Sequence, residues 1–258
     1  MVRTFARWAP ALLIVTAILV FWEAFVRIGN IANWLLPAPS SIGYTLYDSA
    51  SLLASHSLVT LGEILIGFVL ALASGLVLAS GITLSKTLEK ALYPFLIASQ
   101  TVPVIVIAPM LLVWVGYGLM PKVIVVALIS FFPIVVNTVD GMKSIDPDME
   151  RLMRTMGARK WQVFMKVQVP ISMPYLFSGL RVAIAVSVIG AVIGEWVGSS
   201  EGLGYLMIRS KSQFQTERVF AAIAILSTMG VCLFSLVGAM ERVAIPWWHK
   251  ERENRTSE

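Results

Sequence analysis

From Ala91 to Pro121 the chain carries no charged side chain, and five other apolar runs are spread along it. At about 1.5 Å of rise per residue, roughly 20 helical residues cross a hydrocarbon core about 30 Å thick, and such a core admits only backbone that satisfies its own hydrogen bonds. The expected fold class is therefore all-α: a polytopic membrane protein with six transmembrane helices, at about 8–26, 58–82, 92–115, 123–139, 175–197 and 220–240. Only 14% of the 258 residues are charged, where a soluble domain has about 25%.

Arg3 and Arg7 precede the first run as in a signal peptide, but the run continues to Trp22 without a small-residue cleavage site and reads as a retained span. Glu23 and Arg27, one helical turn apart, mark its far end. Pro37 and Pro39 form a stiff turn, and Ser40 or Ser41 is placed to cap a short helix outside the membrane. Gly62, Gly67, Gly75 and Gly81 offer close-packing points on the second span. Pro94, Pro103 and Pro109 must bend or break the third.

The net charge of +5 follows topology and not a nucleic-acid surface, because the basic residues sit in short loops without interleaved aromatics. Arg3, Arg7, Lys86, Lys90, Lys143, Arg151, Arg154, Arg159, Lys160, Lys166, Arg242, Lys250, Arg252 and Arg255 are fourteen on one side; Arg27, Lys122, Arg209, Lys211 and Arg218 are five on the other, with Arg181 inside the fifth span. The positive-inside rule puts the first side, and both termini, in the cytoplasm. Cys232 lies in an apolar run and reads as a small core residue; with only His56 and His249 beside it, neither a disulfide nor a metal site is expected.

The one long charged segment between spans runs from Lys143 to Arg181. Met149, Leu152, Met153 and Met156 recur at helical spacing, with Asp148, Glu150, Arg151 and Arg154 on the other faces. Gly157 interrupts the pattern where a sharp change of direction is cheapest. A second helix follows, with Trp161, Phe164, Met165 and Gln168 on one side, and Pro170 and Pro174 are expected to stop it. An apolar helix face rimmed by charge either plugs a partner's groove or lies flat on anionic lipid.

Gly157 followed at fixed spacing by Val167-Gln168-Val169-Pro170 resembles the cytoplasmic EAA loop of ABC-importer membrane subunits, although Arg151-Leu152-Met153 stand where that signature has Glu-Ala-Ala. The resemblance continues through Leu36-Pro37-Ala38-Pro39-Ser40, Gln100-Thr101-Val102-Pro103, Ala108-Pro109, Trp114-Val115-Gly116-Tyr117-Gly118, Gly194-Glu195-Trp196-Val197-Gly198 and Gly202-Leu203-Gly204-Tyr205. It is to the nitrate, sulfonate and taurine branch of these permeases, and within it to permeases for hydroxymethylpyrimidine-type thiamine precursors. The resemblance implies a type I ABC importer permease fold over 1–258 as a single transmembrane domain, with a core at about 58–240 and a coupling loop at 143–174. It implies a homodimer in the lipid of the cytoplasmic membrane, two cytosolic ATPase subunits that use ATP and magnesium, and an extracytoplasmic solute-binding protein. The coupling contacts would fall on Leu152, Met153, Met156, Gly157, Ala158, Trp161, Val167 and Pro170. Gly198 to Tyr205, with Glu201, reads as a flexible outer loop, which the resemblance places against the solute-binding protein or at an outer gate, although glycines in a turn need no such reason.

No G-x-x-x-x-G-K-[ST] phosphate loop is present, so the chain itself is not expected to hydrolyse ATP, bind a cofactor or carry a catalytic residue. Polar groups inside the spans call for partners or a function. Glu63 and Glu195 either reach the outer interface or line a translocation path. Gln100 with Pro103 exposes amide and carbonyl groups at a bend, which suits either a wet path or local strain. Arg181 is expected to snorkel back to the charged loop. Few basic residues in the spans and several acids, amides and tryptophans suit a neutral or cationic heterocycle; nitrate, sulfonate, taurine or riboflavin are the alternatives. A secondary transporter would show an inverted repeat, and none is seen. An intramembrane enzyme has only His56 and Glu63 as a weak pair.

Overall fold

A computed structural model describes the backbone of residues 2–248 and the side chains of residues 9–248. The side chains of Arg3 and Arg7, residue His249, and the tail with Lys250, Arg252 and Arg255 lie outside the described residues. Among the described residues, five stretches are helical, long and apolar enough to cross a membrane: α1 (Val2–Ile28), of which Ala9–Ile28 qualifies, α3 (Ala50–Leu84), α6 (Leu119–Lys143), Lys160–Trp196, and α11 (Thr216–Ala244). The third expected span is two helices, α4 (Lys86–Ser99) and α5 (Val104–Val115), bent by 101° at their junction. Of the three prolines there, Pro103 marks the break; Pro94 and Pro109 are carried inside α4 and α5.

The chain forms two compact units, one of Met1–Val59 with Glu201–Ser227 and one of Thr60–Ser200 with Thr228–Glu258. In the first, Arg27 pairs with Glu23 at 2.5 Å. The same carboxylate takes the Ser40 backbone N–H at 3.0 Å and its hydroxyl at 2.8 Å. The short helix α2 (Pro39–Asp48) has Ala38 at its cap and begins two residues earlier than a Ser40 cap would place it. Ser40 is thus inside the first turn, and Glu23 of α1 satisfies the N–H that a cap would have taken. Trp22 and Phe220 pack with ring centroids 5.7 Å apart. The expected loop at 198–205 is shorter than the sequence suggested, because α10 (Leu203–Ser212) starts within it. His56 Nδ1 accepts the N–H of Gly202 at 2.9 Å and so fixes the turn into that helix.

The second unit is organised around α6, whose Val126, Ile134, Val135 and Val139 are fully buried. Gly67 and Gly75 of α3 lie against it: a Cβ at Gly67 would stand 2.5 Å from Val126 Cβ, and one at Gly75 would stand 3.0 Å from Ile134. Gly62 and Gly81 face elsewhere, since offsets of five and six residues rotate them off that stripe; Gly62 has nothing within 4 Å. On the other side α9 (Val169–Trp196) approaches through Gly179, where a Cβ would come 2.7 Å from the Pro133 carbonyl oxygen. Backbone cannot yield as a side-chain tip does. Gly179→Ala is expected to cost about 1–3 kcal/mol through overpacking, read as a lower thermal midpoint of the purified protein, with Gly62→Ala as the unshifted control.

Two expectations from sequence are corrected here. Pro170 and Pro174 do not end the helix that starts at Lys160; they ride inside a continuous 37-residue helix. The reason is the π-helical turn Phe164–Gln168 just before them, in which Val169 N–H reaches back to Phe164 O. That wider turn shifts the register of the ladder where proline has no N–H to give, so the helix absorbs Pro170 instead of breaking. Cys232 is exposed, not buried in the core. Its helix is apolar on most sides, so hydrophobicity alone could not tell its inward face from its outward one.

Candidate functional site

The segment after α6 folds as the periodicity predicts. Asp146 caps α7 (Pro147–Thr155) by accepting the Asp148 N–H at 2.9 Å, and Pro147 occupies the first turn where its missing N–H is harmless. Gly157 closes the helix with φ +82°, and the Ala158 N–H reaches back to Met153 O at 3.0 Å. This is the left-handed terminus that glycine adopts most readily. α8 (Lys160–Val163) then starts, with the Gln162 side chain accepting the Arg159 N–H at 2.7 Å.

The charged residues of α7 pair with each other, Arg151 with Asp148 at 3.1 Å and Arg154 with Glu150 at 2.6 Å. The apolar residues are left without cover. Met149, Leu152, Met156, Trp161 and Met165 are all exposed, Met156 most of all at 76%. Met153, Ala158 and Val167 are half-buried and Pro170 is exposed. Beneath this face Val163 and Phe164 are buried, and Trp161 stacks on Phe164 with centroids 5.4 Å apart and planes 25° apart. The elbow therefore presents a bare apolar ridge rooted on a rigid helix.

A second constellation lies at the opposite ends of α3, α6 and α9. Glu63 and Glu195, far apart in sequence, come together there, 0% and 1% exposed. Lys122 Nζ donates to Glu63 Oε1 and, at 2.9 Å, to Ser199 Oγ. Thr60 Oγ1 donates to Glu195 Oε1 at 2.6 Å. Lys122, which the charge count reads as a loop cation, is buried inside the bundle. The signal that could have found it is its place just after Pro121, in the first turn of an apolar run, with two intramembrane acids lacking a partner. Gln100 and Pro103 are elsewhere, both exposed, at the break between α4 and α5.

Arg181 does not reach back to the loop. Its guanidinium pairs with Glu241 of α11 at 2.5 Å and lies 5.7 Å from the Phe234 ring centroid. An acid on a packed neighbour is closer than water, so snorkelling gives way to an ion pair. His56 Nδ1 accepts from the Gly202 N–H, and the Glu63 carboxylate accepts from Lys122 Nζ.

The model of the binding-protein-dependent transport system inner membrane component family matches residues 64–244. The chain belongs to this family. It is a multi-pass permease subunit of an ABC importer of the cytoplasmic membrane, and ATP hydrolysis falls to a separate subunit. The permease is 42% identical, over 97% of its length and 100% of the relative's, to the formylaminopyrimidine transport permease protein ThiX of Halalkalibacterium halodurans. It is 38% identical, over 89% of its own length and 87% of the relative's, to the riboflavin transport system permease protein RibX of Chloroflexus aurantiacus. Its fold matches a chain of the MetNI methionine ABC transporter in inward-facing conformations with a TM-score of 0.67 at 17% identity, covering 76% of this chain and 97% of that one. The all-helical architecture is thus that of a type I ABC importer permease.

Proposed function

We propose that the permease imports a thiamine pyrimidine precursor of the hydroxymethylpyrimidine type, and that its partner ATPase grips the elbow at Gly157. The observation that carries the docking site is the uncovered ridge of Leu152, Met156 and Trp161, beside an α7 whose four charges pair with each other. An exposed apolar helix face with a charged rim fits a groove in a soluble partner. The 37-residue helix from Lys160 to Trp196 has no break, so a displacement at Trp161 is delivered along α9 without a soft joint. Two copies of the chain enclose the path, both termini and the elbow face the cytosol, and an external binding protein delivers the solute at the other side. Lipid surrounds the pair.

In this reading Gln100 and Pro103, exposed at the 101° break, offer polar backbone to the path. Glu63 and Glu195 tie helix ends together and do not touch solute while buried. The likeness to a formylaminopyrimidine permease over nearly the full length of both chains supports the solute class. The test is uptake by proteoliposomes containing the permease, its ATPase and its binding protein. Hydroxymethylpyrimidine should accumulate with ATP, and an excess of riboflavin, taurine or nitrate should barely reduce that uptake; accumulation of one of those three instead would replace the solute.

A further inference from the structure

In the second unit, near the end of α9 that leads from the elbow, a cavity of about 330 Å³ opens among Pro174, Tyr175, Ser178, Arg181, Glu241 and Trp248. Its chemistry is specific. The Arg181 and Glu241 charges cancel at 2.5 Å, so the site has no net charge to attract a sulfonate, a nitrate or a phosphate. The Arg181 Nε–H is buried without an acceptor, and a buried donor left unsatisfied is a cost that a bound acceptor removes. A phenol ring and an indole supply flat apolar walls.

The two residues that shape the cavity are held where they are by missing side chains. A Cβ at Gly238 of α11 would stand 3.2 Å from Arg181 Nη2 and 3.5 Å from its Cζ. A Cβ at Gly141 of α6 would stand 2.6 Å from Tyr175 Cβ. The glycines let the guanidinium and the phenol lie close against neighbouring helices, which leaves the space between them open.

We infer that this cavity is a solute subsite for a neutral, planar, amino-substituted nitrogen heterocycle. A ring nitrogen accepts from Arg181 Nε–H, the exocyclic amino group donates to the Glu241 carboxylate or the Ser178 hydroxyl, and the ring lies between Tyr175 and Trp248. The subsite rests on the solute class proposed above and deepens it: selection by the binding protein is followed by a second reading of the same ring inside the permease.

The test uses the full-length permease in nanodiscs, with radiolabelled hydroxymethylpyrimidine as the probe, and the complete transporter in proteoliposomes. Arg181→Lys keeps the ion pair with Glu241 and removes the Nε donor; Gly238→Ala keeps both charges and displaces the guanidinium. Saturable binding, one probe per chain, should fall at least tenfold in Arg181→Lys and severalfold in Gly238→Ala, with thermal midpoints within a few degrees of the parent, and maximal uptake should fall with it. Parent-like binding and uptake in both variants overturns the subsite and leaves the transport reading standing. If the parent transporter moves taurine or nitrate and not the pyrimidine, both fall together. Stoichiometric phospholipid in the cavity of the purified parent, lost in Arg181→Lys, overturns the subsite in favour of a headgroup site.

Discussion

Lys122→Met is expected to lower the amount of folded permease in the membrane severalfold, and Lys122→Met combined with Glu63→Leu is expected to restore most of it. Glu63 is fully buried and Lys122 is the cation that pairs with it. Removing one member of a buried pair typically costs about 3–5 kcal/mol because the other is stranded, whereas replacing both by apolar groups is often neutral. A loss of that size is a large part of a typical folding stability of about 5–15 kcal/mol. Lys122 also donates to Ser199 and packs against Gly194, where a Cβ would come 3.1 Å from the Lys122 Cα. One lysine thus ties the ends of α3, α6 and α9. Glu195→Gln should cost less, since Thr60 Oγ1 can donate to an amide oxygen as it does to the carboxylate. Membrane abundance by quantitative blotting and the thermal midpoint of the purified protein measure both effects. Glu63→Gln separates packing from path: a path residue would lose uptake at full abundance, and a packing residue loses abundance first. Parent-like abundance for Lys122→Met would remove the structural role assigned to this pair.

The spans were legible because apolar length is a strong signal, and the elbow was legible because a helical repeat of Met149, Leu152, Met153 and Met156 runs into a glycine whose φ of +82° few other residues tolerate. What the sequence hid depends on events between helices. Pro170 reads as a stop unless the preceding turn is known to widen to a π-helix. Lys122 reads as a loop cation unless Glu63 is known to lie beside it. Arg181 has a carboxylate sixty residues later in the chain that becomes adjacent only when α9 and α11 pack, as the 2.5 Å pair shows. Cys232 and Gly62 fail for one further reason: in an apolar helix, face identity is set by neighbours and leaves little trace in hydrophobicity. The same limit applies to the site. Type and spacing marked Glu63 and Glu195 as unusual, but only packing distinguishes a carboxylate that faces a path from one that faces a lysine.

Met156→Asp and Trp161→Asp should each reduce uptake by at least tenfold without reducing permease abundance. Both side chains are exposed, at 76% and 56%, so neither contributes much burial to the isolated fold. A carboxylate placed in a partner's apolar groove must be desolvated there, and central anchors of an interface commonly carry 2 kcal/mol or more each, about thirtyfold in affinity. Phe164→Ala provides the contrast. Phe164 is buried at the π-turn, and its truncation is expected to cost about 3–5 kcal/mol of folding stability, so abundance and uptake should fall together. Docking can be read separately from transport: with the exposed Cys232 replaced by serine, Met156→Cys should crosslink to the ATPase subunit, and adding Trp161→Asp should abolish the adduct. Normal uptake in Trp161→Asp, or adducts at Met156→Cys that never contain the ATPase, would show that force enters the permease elsewhere. Loss of uptake with the adduct intact would mean that the ATPase still grips the elbow but its stroke no longer reaches α9, and the fault would then lie in the Trp161–Phe164 stack through which the ridge is joined to the long helix.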